Sequence, residues 1–122
     1  MGLFRRRRKS RDPRVCLIGL DCTPHSLLVR MIDEGIMPNV AELSRNGSLR
    51  RVNSVYPWVS SVAWSSFMTG KNPAKHGIFG FVDRDPATLK TYIPTARHMK
   101  SRTLWEILSD AGKQVVVVNV PV

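Results

Sequence analysis

Residues 15–20, Val-Cys-Leu-Ile-Gly-Leu, carry no charge and end at Asp21. A strand with one wet face alternates apolar and polar residues. This run does not alternate, so it predicts a strand buried on both faces, as in a parallel sheet covered by helices. Residues 115–120 read as a second such strand, stopped by Pro121, and residues 48–55 as a third, containing Leu49 and Val52.

Helical spacing fills the gaps between these strands. Leu27, Leu28, Met31 and Ile32 recur on one face of residues 25–34, after Pro24 and before Gly35. Pro38 precedes a short helix with Val40, Ala41 and Leu43 inward and Gly47 at its end. Ser60 or Ser61 caps a helix over about 61–69, with Val62, Ala63, Trp64, Phe67 and Met68 as its apolar residues and Gly70 as its stop. Residues 71–100 are loop-rich, with Pro73, Gly77, Gly80, Pro86 and Pro94. Thr103-Leu104-Trp105-Glu106 is a capping box. It opens a helix with Leu104, Ile107, Leu108 and Ala111 on its apolar face, ended by Gly112. There is no internal repeat. This order of elements describes an α/β layered fold with a mainly parallel sheet. Ligands of such folds bind beyond the C-terminal ends of the strands, where Asp21 stands.

Composition narrows the class. A chain of 122 residues suffices for one modest domain with a core. No segment approaches the ~20 apolar residues of a membrane helix. The net charge of +10 is unevenly spread, since residues 1–14 hold seven of the 19 basic side chains and only one acid, Asp12. This basic tail is expected to be disordered. It is either simply solvated or makes weak contact with nucleic acid or anionic lipid. Arg5, Arg6, Arg7 and Arg8 are followed by too short an apolar run for an export signal, so a cytoplasmic location is expected. Cys16 and Cys22 make neither a disulfide framework nor a four-ligand zinc site.

Two residues stand where chemistry is possible. Asp21 at a strand end is a fixed carboxylate, suited to a metal ion and equally suited to capping the next helix. Ser60 at a helix start can likewise cap. Its alternative is to meet a phosphate at the positive end of the helix. A metal bound to that hydroxyl would make it a nucleophile.

The ordered set of motifs resembles the type I phosphodiesterase/nucleotide pyrophosphatase branch of the alkaline phosphatase superfamily. Leu20-Asp21 matches its first metal motif. Ser60 lies three residues after Pro57 and ten before Gly70 of Thr69-Gly70, as in its nucleophile motif. Pro73-Ala74-Lys75-His76-Gly77-Ile78 follows. Gly35, Pro38, Asn39, Leu43 and Gly47 match the helix between the motifs. The similarity spans about residues 15–122.

The resemblance implies the N-terminal portion of a three-layer α/β/α alkaline-phosphatase-like catalytic domain. It implies a phosphohydrolase or phosphodiesterase with two divalent metal ions, zinc or manganese, and a phosphate-ester substrate. Asp21 and Ser60 would be ligands of one metal. Ser60 would also be the nucleophile, forming a covalent phosphoryl-enzyme. The remaining Asp and His ligands are missing here, so the chain is expected to be a fragment, inactive alone. His76 resembles the family's turn histidine and is given a structural role.

Two positions depart from the pattern. Phe81 stands where nucleotide pyrophosphatases have a phosphate-binding Asn, and Cys22 where many members have Gly. Cys22-Thr23-Pro24-His25-Ser26 lacks the final Arg of a sulfatase motif. The alternatives are a phosphomutase of the same superfamily, a non-catalytic basic binding protein, and a truncated inactive remnant.

Overall fold

The computed structural model describes residues 14–121; the basic tail, apart from Arg14, lies outside them. Within these residues five α-helices, one short hairpin and a 3-10 turn follow one another. They are α1 (His25–Asp33), α2 (Pro38–Asn46), α3 (Ser60–Thr69), α4 (Pro73–His76), β1 (Asp83–Arg84), β2 (Thr91–Tyr92), the turn Ala96–His98, and α5 (Leu104–Asp110). The chain divides into two compact units, Met1–Ala41 and Glu42–Val122.

In the first unit, α1 follows the expected face. Leu27, Leu28, Met31 and Ile32 are half-buried, while Ser26, Arg30 and Asp33 are exposed. Its end is written locally. Gly35 takes φ +71°, and the N–H groups of Gly35 and Ile36 bond the carbonyls of Ile32 and Met31 at 3.0 and 2.9 Å. This double closure satisfies carbonyls the helix would otherwise leave open. The Arg30–Glu34 pair at 3.8 Å is exposed and contributes little.

The second unit is built around α3, which packs against α4 and α5. Val62, Met68 and Ile78 are its fully buried apolar residues, and His76 is buried among the polar ones. The sequence reading of α3 needs correction here. Met68 and Val62 point inward as expected, but Phe67 is 54% exposed, and the buried face is completed by Ser61, Ser65, Ser66 and Thr69. Small hydroxyl side chains let neighbouring backbone approach closely, whereas apolar periodicity ranks residues by hydrophobicity alone. Leu43, expected inward on α2, is also exposed, as are Leu104 and Ile107 on α5 and Ala111 at its C-cap.

Local signals fix the remaining helix ends. Gly70 ends α3 in the left-handed region, Asn72 Oδ1 accepts from Lys75 N at 3.2 Å, and Pro73 opens α4. The capping box of α5 forms as expected: Thr103 N–H donates to Glu106 Oε2 at 2.6 Å, and Glu106 N–H donates to Thr103 Oγ1 at 3.4 Å. Gly112 and Lys113 close that helix on the carbonyls of Ser109 and Leu108.

The expected sheet is not formed. Among the described residues the only sheet is the antiparallel pair β1–β2, with Asp83 opposite Tyr92 and Arg84 opposite Thr91. Residues 15–20, 48–55 and 115–120 form no strand. Val15, Ile18 and Val116 are more than four-fifths exposed. A strand buried on both faces needs neighbours for its N–H and C=O groups and a layer over each face. Residue type records the preference for such partners, and these runs have none in the described structure. Also among the described residues, no helix is long and apolar enough to cross a membrane.

Candidate functional site

Ser60 is the first residue of α3, one position inside the helix from where a capping serine would stand. The N-cap is Val59, in extended conformation (φ −123°, ψ 136°), with no side-chain capping bond. The Val59 carbonyl accepts from Val62 N and Ala63 N at 3.0 and 2.9 Å, which starts the helix ladder. Ser60 is half-buried and Ser61 is 3% exposed. The hydroxyls of Ser61 and Ser65 are buried without a hydrogen-bond partner. The capping reading of Ser60 is therefore replaced by a serine inside the first turn, beside an N-terminus that its own cap does not satisfy.

Asp21 does not stand at a cap either. Pro24 is the N-cap of α1 and offers no side-chain acceptor. Asp21 is exposed, its carbonyl accepts from Thr23 Oγ1 at 3.2 Å, and Cys22 after it has φ +55°. Asp21 belongs to the first unit and Ser60 to the second. Cys16 and Cys22 are exposed free thiols.

Sequence reasoning gave His76 a structural role but missed its partner. The His76 ring is fully buried, with Nε2 2.9 Å from Ser66 Oγ and Nδ1 3.1 Å from Ile78 N. A backbone N–H can only donate, so Nδ1 is the acceptor and the neutral ring carries its proton on Nε2. Nε2–H then donates to Ser66. Burial pushes the His76 pKa below its ordinary value, because the charged ring loses water. No apolar period or motif marks Ser66, so only the fold reveals this pair.

Two carboxylates are held below their usual range. Glu106 accepts from the Thr103 N–H, then from the Thr103 hydroxyl, with Arg102 adding a smaller electrostatic effect. Asp85 is lowered first by the Ala87 N–H and then by Thr88. Both serve local turns. Among the described residues no group of three or more His, Cys, Asp or Glu side chains could hold a metal ion. The described donors do not by themselves make a metal site.

A family model described as type I phosphodiesterase / nucleotide pyrophosphatase matches residues 15–122. No curated protein and no solved structure gives a match. The family match takes in Asp21, Ser60 and the His76 turn together, so the chain belongs to the type I phosphodiesterase/nucleotide pyrophosphatase family of the alkaline phosphatase superfamily.

Proposed function

We propose that this chain carries the nucleophile of a phosphohydrolase that cleaves a phosphate ester through Ser60. The observation behind this reading is the place of Ser60 inside the family match, as the opening residue of α3 after an apolar cap. The family's fold is that of alkaline phosphatase, its activity is hydrolytic, and its members use metals.

In this scheme Ser60 Oγ forms a bond to phosphorus while the bond to the leaving group breaks. The serine proton passes to solvent, and the leaving alkoxide takes one from water. Water then cleaves the seryl phosphate, returning the hydroxyl and releasing phosphate or a monoester. The N–H groups of the first turn and the helix dipole favour the charge on the non-bridging oxygens. Asp21 and Ser60 would serve one of two divalent ions, zinc or manganese. Two oxygens are fewer than the ~3 protein ligands a catalytic zinc takes. The remaining donors would come from outside these residues, and no step above runs through a metal.

The test is Ser60→Ala in the intact protein, assayed on a generic phosphodiester and phosphomonoester, with Ser61→Ala alongside. Ser60→Ala is expected to abolish turnover with the helical circular dichroism unchanged. Ser61→Ala is expected to keep it, because Ser61 is buried. Near-normal turnover in Ser60→Ala would falsify the assignment.

A further inference from the structure

The turn after α4 is tied down independently of α3. The His76 carbonyl accepts from Lys100 N at 2.8 Å, and the Lys75 carbonyl accepts from Ser101 Oγ at 2.9 Å. Gly77 has φ +81° and lies under the Lys100 stem, where a Cβ would come within 2.9 Å of Cδ. Ile78 N holds Nδ1, so the ring itself is fixed in plane and tautomer. The charged side chains at this turn are Lys75 and Lys100, with Asp83 accepting from Phe79 N at 3.1 Å.

The helix α3 is joined to this turn at its C-terminal end, through Gly70 and the Asn72 cap. Packing also holds α3 along its length, with Ser61 and Val62 buried in its first turn, but such packing has no direction and does not by itself set the tilt of the helix. The Nε2–H bond to Ser66 is a second, directional attachment, one helical turn before Gly70. Ser60 lies ten residues before Gly70, about 15 Å along the axis at ~1.5 Å per residue. At that distance a tilt of about 4° moves Ser60 by ~1 Å, a displacement on the scale that can cost about 100-fold in rate.

We propose that His76 is a positioning residue for Ser60: through Nε2–H and Ser66 it sets the tilt of α3, the helix that begins with Ser60. The proposal rests on the reading of Ser60 as the nucleophile for its catalytic meaning, but its geometry can be tested without substrate or metal. The two ring nitrogens have different partners, so two substitutions separate them. His76→Gln can place an amide N–H near Nε2 and keep the bond to Ser66. His76→Asn can place an oxygen near Nδ1 and keep the Ile78 N–H bond, but it does not reach Ser66.

The experiment measures backbone N–H dipolar couplings of α3 and α5 by NMR on the 122-residue chain, with a nitrogen spectrum of the His76 ring. The unsubstituted chain is expected to show a protonated Nε2 and a bare Nδ1. His76→Gln is expected to preserve the angle between α3 and α5. His76→Asn and Ser66→Ala are expected to change it by at least about 4°, the tilt that the ~1.5 Å rise per residue converts to ~1 Å at Ser60. Ser66→Ala leaves the ring and its turn in place, so it decides the matter if a His76 variant does not fold. An unchanged angle in Ser66→Ala, or a larger change in His76→Gln than in His76→Asn, overturns the proposal. A phosphohydrolase assignment that failed with these couplings as expected would remove only the catalytic meaning of the tilt.

Discussion

Replacing Met68 by Ala should cost far more stability than replacing its neighbour Phe67. Met68 is 1% exposed, whereas Phe67 is 54% exposed. Truncating a fully buried Met leaves a cavity and costs about 2–5 kcal/mol. Phe67 forfeits an edge-on contact with Trp64, with ring centres 5.8 Å apart, and some partly wet area. Such an aromatic pair contributes about 1 kcal/mol. The assay is urea unfolding followed by tryptophan emission, which reports on the second unit because Trp58, Trp64 and Trp105 all lie there. With a urea slope of about 1–2 kcal/mol per molar, a loss of ~3 kcal/mol lowers the midpoint by roughly 2 M. Phe67→Ala should lower it by well under half of that. Among the described residues of the second unit the buried hydrophobic core is Val62, Met68 and Ile78, so loss of the cooperative transition in Met68→Ala is the extreme form of the same outcome. A Phe67→Ala variant as damaged as Met68→Ala would refute the burial pattern and restore the face expected from hydrophobicity.

Two further outcomes follow from α5 and His76. Thr103→Ala removes the acceptor for Glu106 N–H and should destabilise the second unit by ~1 kcal/mol, while Thr103→Ser should restore most of it; equal loss in both would point to the methyl group instead. Stability should also fall with acid in two stages. The His76 pKa is lowered by folding, so the unfolded chain binds the proton first, and stability is full above about 6.5 and declines as pH drops below it. Glu106 is also lowered, so its contribution is present above 4.5 and is lost as pH falls through its folded value. Urea midpoints at pH 7.5 and 5.5 check the first stage, and a His76→Gln chain with the same pH slope as the parent would contradict it.

The helices were legible because their signals are local. Pro24 and Gly35 bracket α1, Gly70 stops α3, and Thr103 with Glu106 opens α5, each within a few residues of the bond it makes. The sheet was not legible in the same way, since residues 15–20 and 115–120 state a preference for partners without naming any. At the candidate site, the spacing of Pro57, Ser60 and Gly70 identified the family, but the environment of Ser60 could not be read from it. The start of α3 one residue earlier, with Val59 as cap, removed the capping role. The Ser66–His76 bond joins residues ten apart across a turn, and neither helical nor strand periodicity connects them.

The exposed apolar runs bear on how the polypeptide avoids sticking to itself. Short uncharged stretches rich in β-branched residues are the units from which ordered aggregates grow. Residues 115–118 are four consecutive valines, and Val116 is 88% exposed. Lys113 stands two residues before them and Pro121 three after, while residues 15–20 lie between Arg14 and Asp21. A charge opposes stacking of identical chains in register, and proline removes the donor that would extend a ladder. Each sticky window is therefore only about six residues wide, close to the shortest length that zips into fibrils. The same Asp21 that is proposed to serve a metal ion also guards one end of the first window.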